Sequence, residues 1–256
     1  MTSTSLTLES FGADLRAVVV GANGGIGAAL VSALAASPRV ARVYATARPA
    51  AWTGEPGSQH KVTRCQMDVT DEQSTVELAA RCRQDGPLDI VLVATGVLHD
   101  SADLQPEKSW KSLDGEALAH SFKVNAIGPA LVAKHFMALL TSQRKSVFAV
   151  LSARVGSIED NRLGGWHAYR ASKAALNMLM RTCSIELARR NANAICVSLH
   201  PGTVDTALSR PFQTNVPAGK LFPPALAASQ LLAVIDHLDA NASGGFYAWD
   251  GERIPF

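Results

Sequence analysis

The 256-residue sequence is poor in charge: Asp, Glu, Lys and Arg make up 18% of it, against 47% hydrophobic residues. So apolar a composition excludes a disordered chain or a coiled coil, both of which carry more charge. Neither sign dominates, since 24 basic and 22 acidic residues leave a formal net charge of +2. That balance supplies no broad field for nucleic acid or an acidic membrane surface, so neither partner is expected. Cysteine is scarce, with only Cys65, Cys82, Cys183 and Cys196, none of them in a C-x-x-C pair. Their spacing suits neither a zinc site nor a disulfide framework. The expectation is a metal-free chain with reduced thiols in a cytoplasmic setting. Residues 1–10 lack a basic stretch followed by an apolar one, so they do not read as a secretory signal. No apolar run reaches the ~20 residues that a membrane span requires.

What the sequence does have is alternation. Short apolar runs rich in β-branched residues predict buried strands at residues 16–20, 40–46, 62–67, 88–94, 146–151 and 194–199, with a short last strand at 246–248. Between them, helical patterns cover 25–36, 71–84, most of 112–140, 168–190 and 226–238. Thr70 or Asp71 is the expected N-cap of the second helix, and Gly86-Pro87 ends it. Residues 49–58, rich in Pro, Gly and Ser, predict a loop, as do 156–165. Repeated β-α-β units give a parallel sheet covered by helices on both faces, an α/β doubly wound fold of about seven strands in a single domain. Ligands of such sheets bind beyond the carboxyl ends of the strands.

The residues that follow each strand therefore matter most. After the first comes Gly21-Ala22-Asn23-Gly24-Gly25-Ile26-Gly27, glycines that let the backbone turn sharply and approach a diphosphate at a helix N-terminus. After the second, an acid would accept from a ribose 2′-hydroxyl. None is present, and Arg48 is the only charge there. A guanidinium at that point pairs with a 2′-phosphate, which favours NADP over NAD; the alternative is a solvated loop arginine. Asp68-Val69 follows the third strand, where the carboxylate either receives an adenine amino group or caps the next helix. Ala94-Thr95-Gly96 follows the fourth, with a glycine suited to close approach of a ribose.

Tyr169 and Lys173 carry the sharpest signal. At i and i+4 they share one helical face. A phenol with its ordinary pKa near ~10 is a poor acid at neutral pH. An ammonium within ~6 Å favours phenolate and is expected to bring that pKa towards the working range. Lys173 also has donors for ribose hydroxyls.

Taken together with Asn125 in Lys-Val-Asn-Ala and Pro201-Gly202-Thr203-Val204-Asp205-Thr206, these motifs resemble the short-chain dehydrogenase/reductase family over nearly the whole chain. Arg154-Val155-Gly156-Ser157-Ile158, Gly164-Gly165-Trp166, Tyr169 to Asn177 and the ending around Trp249-Asp250-Gly251 look like its C-factor-like and sniffer-like carbonyl reductase branch. The resemblance implies a Rossmann-type domain and hydride transfer between NADP(H) and a carbonyl or alcohol. Tyr169 would be the general acid or base, with Lys173 tuning it and holding the nicotinamide ribose. Asn125 would distort its helix and hold a water that relays protons to Lys173. Residues 201–204 would pass beside the nicotinamide, and Thr206 would bond its carboxamide or a phosphate. Family habit and an apolar face on the 168–190 helix suggest a homodimer or homotetramer.

One family position is out of pattern. Ala153 stands where a second serine usually polarises the substrate carbonyl. Ser152 and Ser157 are the candidate substitutes; a water, or Tyr169 alone, is the alternative. A missing oxyanion donor costs ~10²–10³ in rate. This keeps a second reading open, a nucleotide-binding signalling or scaffold protein with little catalysis. His167 is a candidate for the substrate mouth or a plain surface histidine, and Trp166 for packing or a substrate wall. Residues 205–224, long and of low periodicity, suggest a substrate lid.

Overall fold

A computed structural model describes residues 8–48, 60–100 and 104–256. The loop expected at 49–58 and residues 1–7 lie outside them. The strand β1 (Leu15–Val20) is an almost wholly buried Leu-Arg-Ala-Val-Val-Val run, as a central parallel strand requires. On one side it pairs with β2 (Val40–Ala47), which pairs with β3 (Val62–Gln66). On the other side follow β4 (Ile90–Val93), β5 (Ser146–Leu151) and β6 (Ala194–His200). Phe246–Ala248, β9 in chain order, adds to β6 and completes a seven-stranded, all-parallel sheet of order β3-β2-β1-β4-β5-β6-β9. The remaining strands, β7 (Thr203–Val204) and β8 (Leu221–Phe222), form a separate two-stranded sheet.

The period of two along each strand splits the core in two. Leu15, Ala17 and Val19 face α1 (Gly25–Ala36) and α6 (Pro224–His237), packing with Leu30, Leu34, Leu231 and Ile235. Val18, Val20, Val91 and Phe148 face the other way. There they meet α2 (Glu72–Asp85), α4 (Gly128–Phe136) and α5 (His167–Ala188) through Leu78, Phe136, Leu176 and Met180. The doubly wound arrangement read from the sequence is thus the one formed.

The stretch expected to be mostly helical over 112–140 is broken. A 3-10 turn at Trp110–Ser112 precedes α3 (Gly115–Phe122), a π-helical turn spans Lys123–Ile127, α4 follows, and a second 3-10 turn closes at Met137–Leu139. Pro129 explains the wide turn in part: it has no N–H to give the Asn125 carbonyl, so the regular i→i−4 ladder is interrupted there. The Gly128 N–H reaches back five residues to the Lys123 carbonyl instead. Asp71, not Thr70, caps α2, accepting from the Gln73 N–H at 3.1 Å. The 205–224 stretch is not structureless. It contains a 3-10 segment at Arg210–Asn215, and β7 and β8 pin its two ends together. None of the four cysteines forms a disulfide. Among the described residues no helix is long and apolar enough to cross a membrane.

Phe148 is fully buried at the centre of the sheet's second face. Its replacement by alanine removes a ring with no room for the site to collapse, and Phe148→Ala should cost about 3–5 kcal/mol. Urea unfolding should show a lower midpoint at unchanged slope.

Candidate active site

The glycine turn between β1 and α1 is shaped by contact. Gly21 sits at φ +86, and a Cβ on Gly27 would lie 2.1 Å from the Gly21 carbonyl oxygen. Only glycine fits either position. Gly24 opens α1 without any side-chain cap, so the helix presents its first N–H groups and positive dipole end at this turn. A Cβ on Gly25 would lie 2.6 Å from the Thr206 methyl, so Thr206 closes over the glycines from the far end of the chain.

Arg48 is exposed directly beyond β2. Asp68 accepts at 2.8 Å from both the N–H and the hydroxyl of Thr70, which leaves the capping of α2 to Asp71. Val69 is buried against Gly128. Thr46 at the end of β2 and Thr95 just past β4 each bury a hydroxyl oxygen without a partner. Uncapped amides, a cradle that a Cβ would fill and orphaned hydroxyls along the strand ends fit the diphosphate and riboses of a dinucleotide.

Asn125 is fully buried at the centre of the π-helical turn. Its Oδ1 accepts from the Val97 N–H at 2.8 Å, and its Nδ2 donates to the Val97 carbonyl at 2.8 Å and to Ser172 Oγ at 3.1 Å. The turn is thereby fastened to the loop after β4 and to α5. A Cβ on Gly96 would lie 3.4 Å from Asn125 Oδ1 and 3.5 Å from Lys173 Nζ, so the three meet at one point.

Lys173 donates to the Leu151 carbonyl at the end of β5 at 2.9 Å, and its Nζ lies 5.8 Å from the centroid of the Tyr169 ring. The cation is where the sequence requires it, but the expected acidification does not follow. Burial pushes the Tyr169 phenol up to about 12 and brings the Lys173 ammonium down to about 8. Desolvation penalises both charged forms, and at this distance it outweighs their attraction.

Of the two candidate serines, Ser157 is buried and accepts from the Asp160 N–H at 3.1 Å, a bond within its own loop. Ser152 buries an unpartnered hydroxyl beside the Lys173 anchor, its N–H bonded to the Leu199 carbonyl. Ala153 between them is partly exposed. Pro201 and Gly202 are partly buried, while Val204 packs inward with Phe222 and Ala227. His167 lines a separate cavity of about 270 Å³, together with Ser157, Ile158 and Arg170, whose lining includes neither Tyr169 nor Lys173. Among the described residues no three His, Cys, Asp or Glu side chains gather as metal ligands.

Trp166 proves to be more than filler. Its ring meets Tyr169 edge-on, with centroids 6.4 Å apart, and tilts against Phe212 at 4.9 Å. His99 adds a third side, 5.6 Å from Phe212, with Nε2 at 3.1 Å from the Leu208 carbonyl. Neither Phe212 nor His99 is visible from the sequence, because the 205–224 stretch has no periodicity to say which residues turn inward.

A family model described as short chain dehydrogenase matches residues 16–217. The chain belongs to the short chain dehydrogenase family. An uncharacterized oxidoreductase of Schizosaccharomyces pombe, C663.09c, is 33% identical over 93% of this chain and 96% of its own length. The C-signal protein of Myxococcus xanthus is also 33% identical, over 67% of this chain and 94% of its own. Among solved structures, an NADPH-bound carbonyl reductase from chicken fatty liver superimposes over the whole of both chains with a TM-score of 0.81, at 24% identity. For this short chain dehydrogenase, that match shows a shared fold.

The lysine offers a stability test with a definite sign. Its folded value of about 8 lies below its unfolded one, so folding expels a proton between the two. The cost of burying the charge is present below about pH 8 and fades as pH rises towards the unfolded value of about 10.4. Lys173→Met should therefore gain stability relative to wild type at pH 7, and the gain should shrink by pH 10. Denaturant unfolding of both proteins at the two pH values measures it.

Proposed function

We propose that this short chain dehydrogenase is an NADP(H)-dependent carbonyl reductase, or alcohol dehydrogenase in the reverse direction. The observation that carries the reading is the convergence of Tyr169, Lys173 and Asn125 at the strand ends, beside an uncapped glycine turn. The NADPH-bound carbonyl reductase of the same fold supports it. When bound, the nicotinamide supplies the hydride. The chain supplies the rest. The glycine turn and the start of α1 bind the diphosphate, and Arg48 pairs with the 2′-phosphate. Tyr169, kept protonated by its burial, donates a proton to the carbonyl oxygen. Lys173, anchored on the Leu151 carbonyl, holds ribose hydroxyls and replenishes that proton. Asn125 fixes the lysine's surroundings and holds a relay water.

The aromatic wall of Trp166, Phe212 and His99 excludes water and receives the substrate, with residues 205–224 acting as its lid. With Ala153 in place of a serine, the oxyanion loses a donor worth ~10²–10³ in rate. The Ser152 hydroxyl, buried and unpartnered, is better placed to replace it than Ser157, whose oxygen is engaged in its own loop. Exposed Met178, Leu179 and Ile185 on α5 support a homodimer or homotetramer. Four cysteines outside any disulfide support a reducing, cytoplasmic location.

Ala153 also favours a second reading, a nucleotide-binding signalling protein of the same fold with little turnover. Incubation with NADPH and a panel of aldehydes, ketones and quinones separates the two. Oxidation of NADPH supports the reductase; tight binding with no oxidation across the panel supports the second reading. In the reductase, Tyr169→Phe should lose about 10²-fold or more of kcat while NADPH affinity stays within about twofold. Unchanged turnover would remove Tyr169 as the acid. Arg48→Ala should weaken NADPH binding about tenfold, the loss of one charged hydrogen bond, and leave NADH binding unchanged. Equal losses for both cofactors would detach Arg48 from the 2′-phosphate.

A further inference from the structure

The helix that carries Tyr169 begins in an unusual way. Trp166, the residue before α5, sits in the left-handed region at φ 52 and ψ 43 and provides no side-chain cap. A bulky residue rarely adopts that backbone unless its surroundings hold it there. The first N–H groups of a 22-residue helix also need acceptors from elsewhere.

One residue meets both demands. Glu107, in the segment between β4 and α3, is 6% exposed. Its carboxylate reaches the start of α5, with Oε1 and Oε2 at 3.3 and 3.2 Å from the Ala168 nitrogen. Its carbonyl oxygen accepts from the Trp166 N–H at 2.5 Å. Side chain and main chain of one buried glutamate thus grip two residues of the turn that leads into Tyr169. The charge suits the place, because a carboxylate at a helix N-terminus meets the positive end of the dipole.

We infer that Glu107 is a positioning residue for the active site: it caps α5 from outside the helix, holds Trp166 in its left-handed conformation, and through both sets where the Tyr169 hydroxyl stands. Trp166 extends the effect, since its ring bridges Tyr169 and Phe212 of the 205–224 segment. Glu107 touches neither proton nor hydride. Its contribution is geometric, and misplacing a reacting group by about 1 Å costs on the order of 10²-fold in rate. The inference about turnover rests on Tyr169 being the acid; the inference about structure does not.

The test uses the full chain with Glu107→Ala and Glu107→Gln, which removes the charge but keeps an acceptor of the same shape. Three quantities are read: amide hydrogen exchange of the peptide spanning 166–170, NADPH affinity, and kcat on the best carbonyl of the panel. Glu107→Ala should speed exchange at 166–170 and lower kcat about 10²-fold, with NADPH affinity within about twofold; Glu107→Gln should recover most of both losses. Unchanged exchange in Glu107→Ala overturns the inference, as does loosened exchange with unchanged kcat. So does parallel loss of kcat and NADPH affinity in both variants, which marks a general structural role. If Glu107→Ala does not fold, Glu107→Asp, which keeps the charge but shortens its reach by one methylene, decides in its place: faster exchange at 166–170 than in wild type supports the cap, and wild-type exchange overturns it. If wild type turns over no carbonyl, the reductase reading fails while the exchange comparison still judges the cap.

Discussion

The carboxamide of Asn125 is the joint on which the site depends. A primary amide offers an acceptor and donors on one small plane. Here that plane matches the backbone of Val97 as another strand would, taking its N–H and returning one to its carbonyl. A third bond reaches Ser172 on α5. The loop after β4, the α3–α4 segment and the helix of Tyr169 are fixed relative to one another by one buried side chain. Such a joint is stable only because every polar group in it is paired; half-made, it would cost more than an apolar contact. The wide helical turn follows, since Asn125 must reach inward and Pro129 withdraws the bond that would have kept the turn regular.

Burial then decides the electrostatics. Lys173 and Tyr169 lie at the strand ends with a backbone carbonyl as the lysine's anchor, and the desolvation they suffer favours their neutral forms. A phenol pushed up to about 12 stays in its acid form but gives its proton less readily than a free phenol, while an ammonium brought to about 8 exchanges protons near neutral pH. The buried, unpartnered hydroxyls of Thr46 and Thr95 belong to the same economy of space. A buried polar atom without a protein partner calls for an explanation, and at a strand end a bound ligand supplies one.

The substrate side is built on different terms. Tyr169, Trp166, Phe212 and His99 form a chain of ring contacts drawn from three separate segments, with only Trp166 against Tyr169 itself. Their arrangement rests on a strained tryptophan backbone, and that backbone on Glu107. A rigid sheet positions the glycine turn and the strand ends, while loops joined by single ring contacts position the aromatic wall beside Tyr169. That division is the usual one between scaffold and specificity.

Much of this was open to reading from residue order alone. The β-branched runs, the glycine turn after β1, and Tyr169 and Lys173 one helical turn apart are local patterns, and local sterics and periodicity suffice to place them. The break in the 112–140 helix was expected at Asn125 only through the resemblance; periodicity does not show it, because it answers to Val97, a residue distant in the chain. The direction of the Tyr169 shift was not legible, since proximity to a cation can be counted along a helix but desolvation cannot. Asp71 rather than Thr70 took the cap, and Glu107 left no trace in its own neighbourhood. Sequence determined the fold and the chemical cast of the site, because spacing acts over a few residues. Tertiary structure alone decided protonation and who holds Tyr169 in place, because each depends on atoms brought together across the whole chain.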